Sequence, residues 1–117
     1  MMAAGLDSSE RVSSAIDWLD AHPSISKVPG FEDAGKELGW DEGLKFYYLM
    51  GLSRIFLQSA KKNWGKRPQS IVKELVELQH DNGAWQNKSD RMREDDPHIA
   101  TSFALIALSN LVIANKK

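Results

Sequence analysis

The chain contains no cysteine, and only four prolines and eight glycines in 117 residues. Without thiols there is no disulfide framework, no Cys-type zinc site and no cysteine nucleophile. The compartment stays open, because a thiol-free chain suits reducing and oxidising surroundings alike. An excess of one charge is missing too: 15 Lys+Arg against 16 Asp+Glu leave a net charge of -1 with the signs interspersed. That gives neither a basic stripe for nucleic acid nor a polybasic patch for an anionic membrane surface. The longest apolar-rich stretch, residues 99–114, is broken by Thr101, Ser102, Ser109 and Asn110. It falls short of the roughly 20 residues a membrane span needs and reads as a buried core helix. The opening Met1-Met2-Ala3-Ala4-Gly5-Leu6-Asp7 lacks a basic leader and an apolar run of signal length, so no secretory signal is expected. The doubled Met also suits a piece of something longer.

What is present, 42% apolar and 26% charged residues, implies one soluble globular domain over residues 1–117. Four helical signals follow one another. The first covers 9–21, with Asp7 or Ser8 as N-cap, Glu10 placed for a capping box, and one apolar stripe of Val12, Ile16 and Leu19. Pro23 ends it, and Pro29, Gly30, Gly35 and Gly39 punctuate a long loop over 24–39. The second starts near Asp41 and runs through Leu44, Phe46, Tyr47, Tyr48, Leu49, Met50, Leu52, Ile55, Phe56 and Leu57, apolar nearly all round. Pro68, suited to a first helical position, opens the third, striped with Ile71, Val72, Leu75, Val76 and Leu78. Asp96-Pro97 caps the fourth, whose Phe103, Leu105, Ile106, Leu108, Leu111 and Ile113 make it apolar on most faces.

The order amphipathic, buried, amphipathic, buried is what outer helices with one wet face and inner helices with none require. The expected fold is all-α: two stacked hairpins, about 9–61 and about 68–115, each with an inner and an outer helix. A shift of about 56 residues lays Ile16 on Val72, Leu19 on Leu75, Asp41 on Pro97, Leu49 on Leu105 and Leu52-Ser53 on Leu108-Ser109, a weak repeat of hairpin size. About three or more such units are normally needed to cover one another. Two hairpins therefore imply a larger ring or solenoid, self-association through open edges, or cover from the long loop.

The most specific string is Gln79-His80-Asp81-Asn82-Gly83-Ala84-Trp85. Its amide can donate and accept, Gly83 permits a positive φ, and the Trp ring can seal a hairpin. It resembles the QW repeat of the squalene-hopene cyclase and terpenoid cyclase/prenyltransferase superfamily. Residues 85–97 with 101–108 look like the bacterial prenyltransferase/squalene oxidase repeat proteins, as do Asp17-Trp18-Leu19, Pro29-Gly30-Phe31 and Gly43-Leu44-Lys45-Phe46-Tyr47-Tyr48. The resemblance spans about 12–111. It implies an α/α toroid of which this chain is a part, with a structural role for Gln79, Gly83 and Trp85.

Carried over residue by residue, the resemblance limits the enzyme reading. Class II cyclases of that superfamily use Asp-x-Asp-Asp, whose middle acid protonates an olefin or epoxide, and the matching place here reads Arg93-Glu94-Asp95-Asp96. A proton-donating carboxylic acid needs desolvation or a second carboxylate, and a neighbouring guanidinium works against it. The candidate catalytic set is Asp95, Asp96 and Glu94. Acids just before a helix also cap it, and with His98 they could hold a cation. Asp95-Asp96 continues as Pro97-His98-Ile99, so the Asp-Asp-x-x-Asp diphosphate-metal motif is absent. The Cys zinc ligand of protein prenyltransferases is missing as well, and no metal or cofactor is expected. No Gly-x-Ser-x-Gly elbow supports serine hydrolysis. His22 and His80 close helices at their C-terminal ends.

Phe46, Tyr47, Tyr48 and Phe103 with His98 are the expected lining of an inner pocket, although the rings also suit a plain core. Two functions remain. One is a terpenoid cyclase-like repeat domain with an apolar, isoprenoid-binding cavity, of isomerase or lyase type if it turns over at all. The other is a non-catalytic helical-repeat module binding protein or carbohydrate. Expected partners are an apolar small molecule or lipid, and a second copy or the remaining repeats.

Overall fold

The computed structural model describes residues 10–22, 24–25, 40–59 and 64–115. Among them every regular element is helical: α1 (Glu10–Ala21), α2 (Trp40–Gly43), α3 (Lys45–Gln58), α4 (Arg67–Leu78) and α5 (Pro97–Asn115). The all-α expectation holds. The N-cap candidates Asp7 and Ser8, and most of the expected 24–39 loop, lie outside the described residues. No helix among the described residues is long and apolar enough to cross a membrane.

The core is the seam between α3 and α5. From α3 come Phe46, Leu49, Leu52, Ser53 and Phe56, and from α5 Ala100, Ala104, Ala107 and Leu111. Alanines at this spacing leave a flat strip into which large side chains of α3 can pack closely. The seam also holds a polar clasp: Asn110 Nδ2 donates to Ser53 Oγ at 3.1 Å, and that hydroxyl donates to the Met50 carbonyl at 2.6 Å. Ser53 is completely buried, so these bonds satisfy a group that would otherwise cost stability.

The amphipathic helices lean on this pair. From α4 come Ile71 and Leu75, and α4 touches both α3 and α5. α1 has no fully buried residue and meets the core through Ile16 and Leu19. It is tied to α4 by Arg67, which donates to the Asp20 carboxylate and, at 2.9 Å, to the Asp20 carbonyl. Trp64 closes the α3–α4 corner, its ring centroid 4.8 Å from that of Phe56 and its Nε1 3.2 Å from the Ser59 carbonyl.

Three details differ from the sequence reading. The second helix breaks at Leu44 instead of running unbroken from Asp41, because a distant carboxylate takes up the N–H groups that begin α3. Val76 is exposed, since the inward face of α4 is carried by Ile71 and Leu75. Most important, α5 is not covered on most sides. Leu105, Ile106, Val112 and Ile113 are 55%, 45%, 54% and 45% exposed, opposite the alanine strip. Apolar residues on most faces show that a helix can be covered, and among the described residues nothing supplies that cover here.

Candidate functional site

The string 79–85 builds a closed turn beyond α4. Gln79 Nε2 donates to the Gly83 carbonyl at 2.8 Å, His80 N donates to the Ala84 carbonyl at 2.8 Å and Gly83 N to the His80 carbonyl at 2.8 Å. Gly83 sits at φ +93, where a Cβ would be strained. Trp85 is buried and its Nε1 donates to the Leu75 carbonyl at 2.8 Å. That same carbonyl accepts from Gln79 N, so the indole caps the helix end it covers. Trp85 N in turn donates to Thr101 Oγ1 at 3.0 Å, which pins the turn to the first half of α5.

The three acids of 94–96 have three different surroundings. Glu94 is 0% exposed; its Oε1 accepts from Phe46 N at 2.9 Å and its Oε2 from Tyr47 N at 2.8 Å. The carboxylate therefore caps the first turn of α3 from 48 positions along the chain, where N–H groups and the helix dipole both favour negative charge. Asn87 completes this capping site. Its Nδ2 donates to Glu94 Oε1 at 3.0 Å and to the Glu42 carbonyl at 2.5 Å, and its N donates to the Glu94 carbonyl at 2.8 Å. Asp96 Oδ1 accepts from His98 N at 2.8 Å, the N-cap of α5 that Asp96-Pro97 leads one to expect. Asp95 stands apart: its Oδ1 is buried without a hydrogen-bond partner, and the Arg93 guanidinium is 3.9 Å away.

Asp95 lines a cleft of about 640 Å³ together with Glu42, Lys45, Phe46, Leu78 and His80. Gln86, Asn87 and Lys88 form the rest of its wall. Lys45 is engaged by Glu74 at 2.6 Å. The aromatic residues named from sequence do not share this space. Only Phe46 reaches it. Tyr48 lies on the other side of α3, its hydroxyl donating to the Ser24 carbonyl at 2.6 Å, beside a gap of about 10 Å³. Burial pushes the Tyr48 phenol above its ordinary value of 10.0. Tyr47 is exposed and meets Phe103 edge-on at 5.7 Å, and His98 is exposed at the start of α5. His22 stacks on Trp18 at 3.8 Å, its Nδ1 2.7 Å from the Trp18 carbonyl. No group of three or more His, Asp or Glu placed to hold a metal occurs among the described residues.

Sequence reasoning missed Asn87, Thr101 and Gly43. Asn87 Oδ1 accepts from Ser89 N at 3.0 Å, an Asx-turn that the Asn-x-Ser spelling could have announced. Gly43 is held small by the 87–91 loop: a Cβ there would stand 3.0 Å from that of Arg91. No local pattern signals that approach. No family model, curated protein or solved structure matches the chain.

Proposed function

We propose that this chain is a non-catalytic helical-repeat module of the α/α-toroid kind that acts by binding through the uncovered face of α5. The single observation that carries the reading is the stripe of Leu105, Ile106, Val112 and Ile113, all exposed on a helix with no Asp, Glu, Lys or Arg from Pro97 to Asn115. A contiguous exposed apolar patch of this kind marks a contact surface far more often than a folding requirement. The acidic run adds support, because Glu94 and Asp96 are already used as helix caps. The likeness of 79–85 to the QW repeat is consistent with a module built to be stacked.

The test is a Leu105→Lys/Val112→Lys variant compared with the parent for ANS binding, thermal melting and self-association at high micromolar concentration. The expected result is loss of dye binding and association with an unchanged melting temperature. A parent chain that binds no dye, or a variant that unfolds, overturns the reading.

A second reading has its own observation: Asp95, with a buried and unbonded Oδ1, borders the 640 Å³ cleft beside Phe46 and Leu78. Such a cleft could take an isoprenoid against its apolar floor. Farnesyl- to squalene-sized isoprenoids should then raise the melting temperature, and turnover lost in Asp95→Asn would favour this reading over the first. No melting shift with any of them would rule it out.

A further inference from the structure

The bare face of α5 has a counterpart inside the molecule. The 56-residue shift that pairs Leu49 with Leu105 and Ser53 with Ser109 also pairs Phe46 with Ser102 and Phe56 with Val112. Phe46, Leu49, Ser53 and Phe56 are the buried face of α3, the face that α5 covers. Ser102, Leu105, Ser109 and Val112 are all exposed. The open face of α5 is thus the repeat image of the face on which α5 itself sits. In stacked repeats each unit presents to the next the surface it received from the one before.

We infer that the Ser102–Leu105–Ser109–Val112 face is a seat for a helix carrying the pattern of α5's own buried side: alanines at i, i+4 and i+7, with an amide placed to reach Ser109. The inference rests on the binding-module reading above and names the chemistry of its partner. In the α3–α5 seam those roles belong to Ala100, Ala104 and Ala107, with Asn110 bonded to Ser53. The occupant has to be uncharged along its contact strip, since α5 offers no charge to pair with and an unpaired charge buried there would be costly. A groove of about 450 Å³ lined by Pro68, Gln69, Val72, Lys73, Leu111 and Val112 continues the seat towards α4. Its image residue Phe56 carries the Trp64 ring, so this groove suits a bulky apolar side chain from the same partner.

The chain itself supplies the probe: a fluorescently labelled peptide of residues 93–117, which holds α5 between charged ends. Its binding to the intact protein is followed by anisotropy. The expected result is saturable binding, weakened at least about tenfold by Val112→Glu in the protein, as for a central contact. Ser109→Arg, at a position outside the core, should weaken it similarly if Val112→Glu does not fold. Asn110→Ala in the peptide should weaken it several-fold. Absence of saturable binding overturns the inference. Binding indifferent to both protein variants does so too, because the peptide would then be replacing α5 on α3. If the peptide fails to bind but Leu105→Lys/Val112→Lys still removes dye binding and self-association, the module reading stands and only this partner chemistry falls. If the parent binds neither peptide nor dye, both fall.

Discussion

Glu94 decides most at the scale of single residues. In the sequence it is one of three neighbouring acids with a choice of roles, and nothing in its own neighbourhood says that its partners are Phe46 N and Tyr47 N. Contacts across 48 positions leave no local spacing to read. Glu94→Ala should destabilise the protein by about 3 kcal/mol, since the buried Phe46 N–H and the part-buried Tyr47 N–H both lose their acceptor, and chemical denaturation measures it. Glu94→Gln should cost less, because one acceptor oxygen remains. Asp96 was legible for the opposite reason: its cap bond reaches only to His98 N, within the window a capping pattern describes. Tyr48 gives a pH dependence. Its phenol is raised by burial, so the folded state holds the proton more tightly than the unfolded chain. The resulting stability is complete below about pH 10, the unfolded value, and is lost as pH climbs through the higher folded value. Alkaline melts of the parent should fall more steeply than those of Tyr48→Phe, and equal slopes would contradict this.

At the scale of elements, helix interiors were readable and their ends less so. The apolar spacing of Ile71 and Leu75 placed α4, and the string 79–85 announced the turn that closes it, down to the positive φ at Gly83. Gly83→Ala should therefore cost about 1–2 kcal/mol from backbone conformation alone, its Cβ meeting nothing closer than Gln79 Nε2 at 3.9 Å. Trp85→Phe should cost about 1 kcal/mol through the bond to Leu75 O, whereas Trp85→Ala should cost about 4 kcal/mol through the cavity as well. Equal losses for both would mean that the indole bond, not the ring, closes the turn. The loop before α5 carries the reverse case. Arg93 adopts φ +63 without being glycine, so Arg93→Gly should raise stability by up to about 1 kcal/mol, measurable as a higher melting temperature. The Arg93 guanidinium is itself mostly exposed and 3.9 Å from Asp95, a contact too weak to offset that gain.

For the molecule as a whole, periodicity identified which helices are rich in apolar residues, but not which of their faces find a neighbour. α3 and α5 look alike in sequence. In the structure α3 is packed on the Phe46, Leu49 and Phe56 side while α5 keeps Leu105, Ile106, Val112 and Ile113 in the open. Cover is a property of what else is present, which no single helix records. The aromatic residues teach the same lesson: Phe46, Tyr47 and Tyr48 are consecutive, so a helix must send them to different sides. They end in the core, on the surface beside Phe103 and beside Ser24 respectively.

The Glu94 carboxylate also ties the timing of one half of the chain to the other. The amides of Phe46 and Tyr47 lie in the first turn of α3, where helices ordinarily fray and hydrogen exchange is fast. Here their protons are held by a loop more than 40 residues downstream. Exchange at those two amides should slow to the rate of global opening and accelerate together in Glu94→Ala. During synthesis, α3 would leave the ribosome with its first turn uncapped until residue 94 had followed it, so the start of α3 waits for the loop before α5.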